Sequence, residues 1–174
     1  MKKLLVAFAI MLISASVFAQ ETEVKWYTFE EALKLNQQEQ RKIFIDVYTD
    51  WCGWCKKMEQ NTFTHPVIAR ILNEKYYAVR FDAESTDPIS FQGKEFINEG
   101  NRSRSPHQLA IALLQGKMSY PSIAYMDENN QLLTAVPGYY DPKGLEPILK
   151  FFAEGAYKNT NFQDYKASFE SEIQ

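Results

Sequence analysis

Asp46-Val47-Tyr48-Thr49-Asp50-Trp51-Cys52-Gly53-Trp54-Cys55-Lys56 contains both cysteines of the chain. Ile43 to Tyr48 is apolar enough for a buried strand, and the residues after Cys52 read as a helix. Thiols at i and i+3 at the start of a helix can close a small disulfide ring. The unpaired backbone N–H groups there favour a thiolate on the first sulfur. The pattern is that of a redox switch. Asp46 stands in the middle of the otherwise apolar strand, six residues before Cys52. A buried carboxylate is costly unless satisfied or protonated, and burial raises its pKa. Such a group can accept and return a proton near neutral pH, as Cys55 requires when it resolves a mixed disulfide.

Other residues have a chemical reading and a plainer one. Glu59 lies one helical turn after Cys55 and either joins Asp46 in tuning the second sulfur or simply faces solvent. Lys56 and Lys57 either raise the local potential or are ordinary solvated positions. Pro121 enters an apolar strand, Ser122 to Met126, where a proline marks a special turn; X-Pro bonds are mostly trans, so the sequence alone does not argue for cis. Trp51, Trp54 and Tyr120 are candidates for an apolar substrate-receiving patch around an exposed sulfur. His65 and His107 are too far apart for the usual zinc spacing with Cys52 and Cys55 and read as helix-start residues, so no metal is expected.

Taken together, Trp51-Cys52-Gly53-Trp54-Cys55-Lys56, the upstream Asp46 and Tyr120-Pro121 resemble the thioredoxin fold superfamily. The pattern Asp46, Tyr48, Asp50-Trp51-Cys52, Cys55-Lys56, Glu59, Thr62-Phe63 and Pro66-Val67 is similar to the C-terminal periplasmic domain of the membrane-embedded thiol:disulfide interchange reductase. The likeness runs from Ile43 to about Ala83 and, more loosely, from Tyr120 to Gly138. It implies an attacking, exposed Cys52, a buried resolving Cys55, acids Asp46 and Glu59 that tune the pair, a cis Pro121 opposite the disulfide, and Trp51 beside it. The Gly53-Trp54 dipeptide departs from the resembled proteins, which leaves the reduction potential open.

The elements that must position these residues follow from pattern. Thr28 and Glu31 form a capping box opening a helix from Phe29 to about Gln40. Strand Lys42–Tyr48 is followed by a helix from Cys52 to about Asn61. A second helix is capped by Thr64 or His65 and runs to about Asn73. Strand Tyr76–Ala83 comes next. Residues 84–104 read as an irregular insertion with a short ordered turn around Phe91–Phe96. Ser105-Pro106 caps a helix to about Gln115, strands Ser122–Met126 and Gln131–Val136 form a hairpin, and helices over Asp141–Tyr157 and Phe162–Glu170 close the chain. The alternation argues an α/β thioredoxin-like fold: a central mixed sheet with helices on both faces and an insertion before the proline strand.

Residues 1–19 read as a signal peptide: Lys2 and Lys3, an apolar Leu4–Ile13, then small residues ending at Ala19. The apolar run is too short for a permanent anchor, so stable membrane insertion is not expected. The mature chain, 20–174, reads as one domain with a core over about 26–157 and a helical extension over 158–174. Removing Lys2 and Lys3 leaves 17 of the 19 basic residues against 22 acidic ones, a formal charge of −5. With no basic cluster, nucleic acid is disfavoured as a partner. In an oxidising compartment, spending no cysteine outside the pair favours a working dithiol over a structural bridge.

The expectation is therefore a periplasmic or secreted thiol–disulfide oxidoreductase acting on protein thiols and disulfides. No cofactor is expected beyond the Cys52–Cys55 pair. Net reduction is favoured, because Asp46 and the glycine after Cys52 match the reducing branches. An unidentified redox partner, with a membrane electron conductor as one candidate, is expected to complete the circuit. Disulfide oxidase or isomerase activity, or a non-catalytic binding module with a static bridge, are the rival readings.

Overall fold

The computed structural model describes residues 23–100 and 103–174; the signal-peptide reading of 1–19 lies outside the described residues. A five-stranded mixed sheet has the order β1-β3-β2-β6-β7, built from β1 (Trp26–Tyr27), β2 (Lys42–Tyr48), β3 (Tyr76–Asp82), β6 (Ser122–Met126) and β7 (Leu132–Pro137). β1 and β2 run parallel to β3, whereas β6 is antiparallel to both β2 and β7. β2 and β6 have the bounds expected from their apolar runs. The two-residue β1 was not foreseen, being too short to show a period.

Period-two alternation in β2 feeds two cores. Ile43, Ile45 and Val47 pack with Phe29 and Ala32 of α1 (Phe29–Asn36) and with Leu109 and Leu113 of α4 (Gln108–Leu113). On the opposite face, Phe44 packs with Met58 of α2 (Gly53–Asn61), Ile68 and Leu72 of α3 (Pro66–Lys75) and Leu145 and Leu149 of α5 (Pro142–Ala153). Helices thus cover both faces, as expected. Asp46, two residues from Phe44, belongs to the face under α2.

The Thr28/Glu31 capping box forms as expected, but α1 stops at Asn36 rather than Gln40. Asn36 is buried and committed elsewhere: its Nδ2 donates to the Glu128 carbonyl and Asn130 Oδ1, and its Oδ1 accepts from the Arg41 N–H. Both histidines are helix N-caps. His65 Nδ1 accepts from the Val67 N–H with Pro66 in the first turn, and His107 Nδ1 accepts from the Leu109 N–H. The second of these corrects the expected Ser105-Pro106 start, because imidazole lies outside the usual capping set. Helix α4 also ends early, where Gln115 and Gly116 turn left-handed (φ 52° and 77°). Gly155 (φ 71°) likewise ends α5 short of Tyr157, and a 3-10 turn, Ala156–Lys158, follows before α6 (Phe162–Ala167). The insertion is more ordered than expected: β4 (Ile89–Phe91) and β5 (Lys94–Phe96) form a hairpin whose two turn residues, Gln92 and Gly93, have positive φ.

Tyr125 is fully buried and its ring stacks on Phe152 at 4.3 Å, yet its hydroxyl has no hydrogen-bond partner among the described residues. A buried donor left unpaired costs more than a made bond returns. Tyr125→Phe keeps the ring contacts and removes the orphan. It is expected to stabilise the protein by about 1 kcal/mol, read from urea denaturation.

Candidate active site

The site is assembled where β2 hands over to α2. Cys52 is the helix N-cap: its backbone is extended, its carbonyl accepts from the Lys56 N–H, and its Sγ accepts from the Cys55 N–H at 3.1 Å. The Cys52 N–H itself donates to the Thr49 carbonyl, closing the turn. A disulfide joins Cys52 and Cys55. The sequence expectation of an exposed Cys52 over a buried Cys55 needs correcting for this oxidised form. Both are covered, at 5% and 3% exposure, whereas the flanking Trp51 and Trp54 are 47% and 56% exposed.

Asp46 is 1% exposed, and its Oδ1 has no hydrogen-bond partner among the described residues. Burial pushes its carboxyl up to about 7, with the Arg80 guanidinium opposing the rise and the Glu59 carboxylate adding to it. Arg80 is paired with Asp46 in strand register, and its Nε lies 3.7 Å from Asp46 Oδ2. Its terminal nitrogens meet the Glu59 carboxylate in a fork, with Nη2 3.2 Å from Oε2. One cation therefore links the buried acid on β2 to the acid one turn beyond Cys55 on α2. Glu59 fits both sequence readings: its side chain is 47% exposed, yet it is ion-paired and acts on Asp46.

This arrangement predicts opposite responses. Glu59→Gln removes a negative neighbour and should lower the pKa of Asp46, while Arg80→Met removes the opposing cation and should raise it. Carboxyl carbon NMR titration distinguishes the two directions.

Tyr120-Pro121 is a cis peptide bond at the entrance of β6. The Tyr120 ring meets the Trp51 ring edge-on at 5.9 Å, and burial near Glu84 and Asp82 pushes the phenol up to about 12. Trp51 is held from further directions, because its Nε1 donates to Glu84 Oε1 at 2.8 Å and the Arg104 guanidinium lies 4.5 Å from its ring centroid. Trp54 leans on Tyr139 at 5.2 Å, and Lys57 Nζ sits 4.8 Å from the Trp54 ring centroid. Lys57 is thus a cation over an aromatic face. The structure brings Cys52, Cys55 and Trp51 together with Tyr120, and links Asp46 with Glu59. Sequence reasoning missed Arg80, Glu84, Arg104 and Tyr139. A strand-register argument would have found Arg80; the other three depend on how loops fold back. Among the described residues, no group of three or more His, Cys, Asp or Glu could hold a metal ion.

Comparison with known proteins places this geometry. An uncharacterized protein of Archaeoglobus fulgidus is 27% identical over 81 residues, 46% of this chain and 64% of that protein. Spermatogenesis-associated protein 20 of Mus musculus is 37% identical over 67 residues, 38% of this chain and 8% of its own length. The thiol:disulfide interchange protein DsbD of Haemophilus ducreyi is 41% identical over 39 residues, 22% of this chain and 7% of DsbD. The chain therefore spans less than two thirds of each of these relatives. Among solved structures, a DsbH oxidoreductase superposes with a TM-score of 0.54 at 16% identity, covering 76% of this chain and 85% of that one. That likeness shows the thioredoxin fold. The family model Thioredox_DsbH, described as "Protein of unknown function, DUF255", matches residues 14–141, and with the fold and the Cys-x-x-Cys disulfide in agreement, the chain belongs to this thioredoxin-like family.

Proposed function

We propose that this protein is an exported thiol–disulfide oxidoreductase that reduces disulfides in protein substrates. The observation that carries the reading is the placement of the Cys52–Cys55 disulfide. It caps a helix whose Cys55 N–H points at Cys52 Sγ, beside the exposed Trp51 and Trp54, while Asp46 is buried on the sheet face that α2 covers. Once the disulfide is reduced, the same N–H and the helix N-terminus stabilise negative charge on Cys52. The Cys52 thiolate attacks one sulfur of a substrate disulfide, and the other leaves as a thiolate that takes up a proton. Cys55 passes its proton to Asp46 and attacks Cys52 Sγ, breaking the mixed disulfide. The substrate departs with two thiols and the protein with the Cys52–Cys55 bond. A dithiol of another protein returns the two electrons. The signal-like segment 1–19 supports export to the periplasm or beyond, and Asp46 with Gly53 supports the reducing direction.

Two measurements test the proposal. The reduced protein should lose its thiols on mixing with oxidised insulin, and iodoacetamide should label Cys52 near pH 6. Equilibration with glutathione should give a potential below about −200 mV for a reductant; a value near −120 mV would reverse the direction. Thiols inert to both reagents would leave a static bridge.

A further inference from the structure

We propose that Arg104 is a specificity-determining residue that binds the polypeptide flanking a substrate's reactive cysteine, so that the protein favours polypeptide disulfides over small ones. The inference rests on the oxidoreductase reading above and concerns what the site recognises.

The insertion begins and ends on the same side chain. Glu84, at its start, accepts the Trp51 indole N–H, and Arg104, at its end, lies over the Trp51 ring. The neck between them is fastened independently of Trp51. Asn98 Nδ2 donates to the Glu84 carbonyl at 3.0 Å and to the Ser105 carbonyl at 2.8 Å, and the His107 N–H donates to the Ala83 carbonyl at 2.7 Å. Trp51 is consequently a fixed wall of the site: its one donor is used, and Tyr120 meets its ring edge-on.

Arg104 holds a left-handed backbone, φ 60°, in a residue that is not glycine. Such conformations are uncommon outside glycine and persist where the surroundings enforce them, often at ligand clamps. Here the conformation accompanies a guanidinium over an exposed aromatic ring. Arg104 makes no salt bridge among the described residues, although the Arg41, Arg70 and Arg80 side chains all do. A guanidinium offers five N–H donors in a planar fork suited to carbonyl and carboxylate oxygens. The same residue lines a cleft of about 420 Å3 together with Glu99, Ser103, Pro106, Gln108 and Ile111, the last 40% exposed. A polypeptide leaving the reactive sulfur across Trp51 would meet these donors and then a partly apolar trough. A small disulfide has no atoms to reach either.

Single-turnover oxidation of the pre-reduced protein separates these possibilities. Wild type, Arg104→Ala and Arg104→Lys are mixed with oxidised insulin or with hydroxyethyl disulfide, quenched in acid, alkylated and weighed. With insulin, Arg104→Ala should lower the second-order rate constant about five- to tenfold, and Arg104→Lys, which keeps the charge but loses the fork, should fall between. With hydroxyethyl disulfide both variants should stay within about twofold of wild type, since neither the sulfurs nor their helix is touched. Equal losses on both substrates would make Arg104 merely structural, and an unchanged insulin rate would remove its role; either overturns the proposal. A wild type inert to both disulfides would instead bring down the oxidoreductase reading, and this inference with it.

Discussion

A Cys55→Ala variant is expected to accumulate in cells as covalent adducts joined through Cys52 to client proteins, with turnover falling on the order of a thousandfold or more. The attacking sulfur keeps the helix N-terminus that favours its thiolate, since the position 55 backbone N–H that points at Cys52 Sγ survives the substitution. What is lost is the thiol that expels the client. The mixed disulfide then persists until an external thiol attacks it. The chain has two cysteines, so Cys52→Ala/Cys55→Ala has no sulfur nucleophile left. Non-reducing gels of trapped complexes should show client bands with the single variant, none with the double variant, and none after reduction. Adducts that survive the loss of Cys52 would overturn the assigned order of attack.

The parts of the fold that were legible in the sequence are those decided by local chemistry and burial period. β2 and β6 are apolar runs buried on both faces, so their bounds follow directly. Thr28 and Asp141 cap their helices through side-chain oxygens that accept backbone N–H groups, as such residues usually do. The Cys52–Cys55 pair and the solitary Asp46 stood out because each violates its surroundings, a polar or reactive group where an apolar one is the default. The cis bond before Pro121 was carried by resemblance, since local preference favours trans.

What stayed hidden depends on contacts distant in sequence. The Arg80 position looks like a solvated strand residue until β2 and β3 are set in register and it faces Asp46. Glu84 and Arg104 looked like loop charges within an irregular insertion. Their role at Trp51 exists because the hairpin and Asn98 close the insertion into a neck. The covered Cys52 was missed for a different reason. A motif tells which sulfur heads the helix, but its exposure depends on side chains placed by the rest of the fold.

Asp46→Asn should stabilise the protein in a pH-dependent way while slowing release of the substrate. Burial raises the Asp46 carboxyl from 3.8 to about 7, so between those values the folded state binds more protons than the unfolded chain. Stability therefore falls as pH rises through this window and levels off above it. The raised pKa corresponds to roughly 4 kcal/mol of destabilisation by the ionised form at pH 8 that is largely absent at pH 4. Asparagine carries no charge at either pH. Its own cost, an amide beside Arg80 with donors to satisfy, is the same at both and cancels in the comparison. The decisive quantity is thus the stability difference between variant and wild type at pH 8 minus that at pH 4, measured by urea unfolding of the disulfide form. It should be positive and several kcal/mol; a value near zero would mean that Asp46 is not held protonated by its surroundings. On the proposed mechanism, Asp46 in the reduced protein takes the proton that Cys55 loses. The resolving step of wild type should quicken as pH passes about 7, where Asp46 becomes free to accept, whereas in Asp46→Asn it should be slower and lose that inflection. A variant that is more stable at pH 8 yet resolves with the wild-type pH profile would keep the electrostatics and remove Asp46 from the proton path.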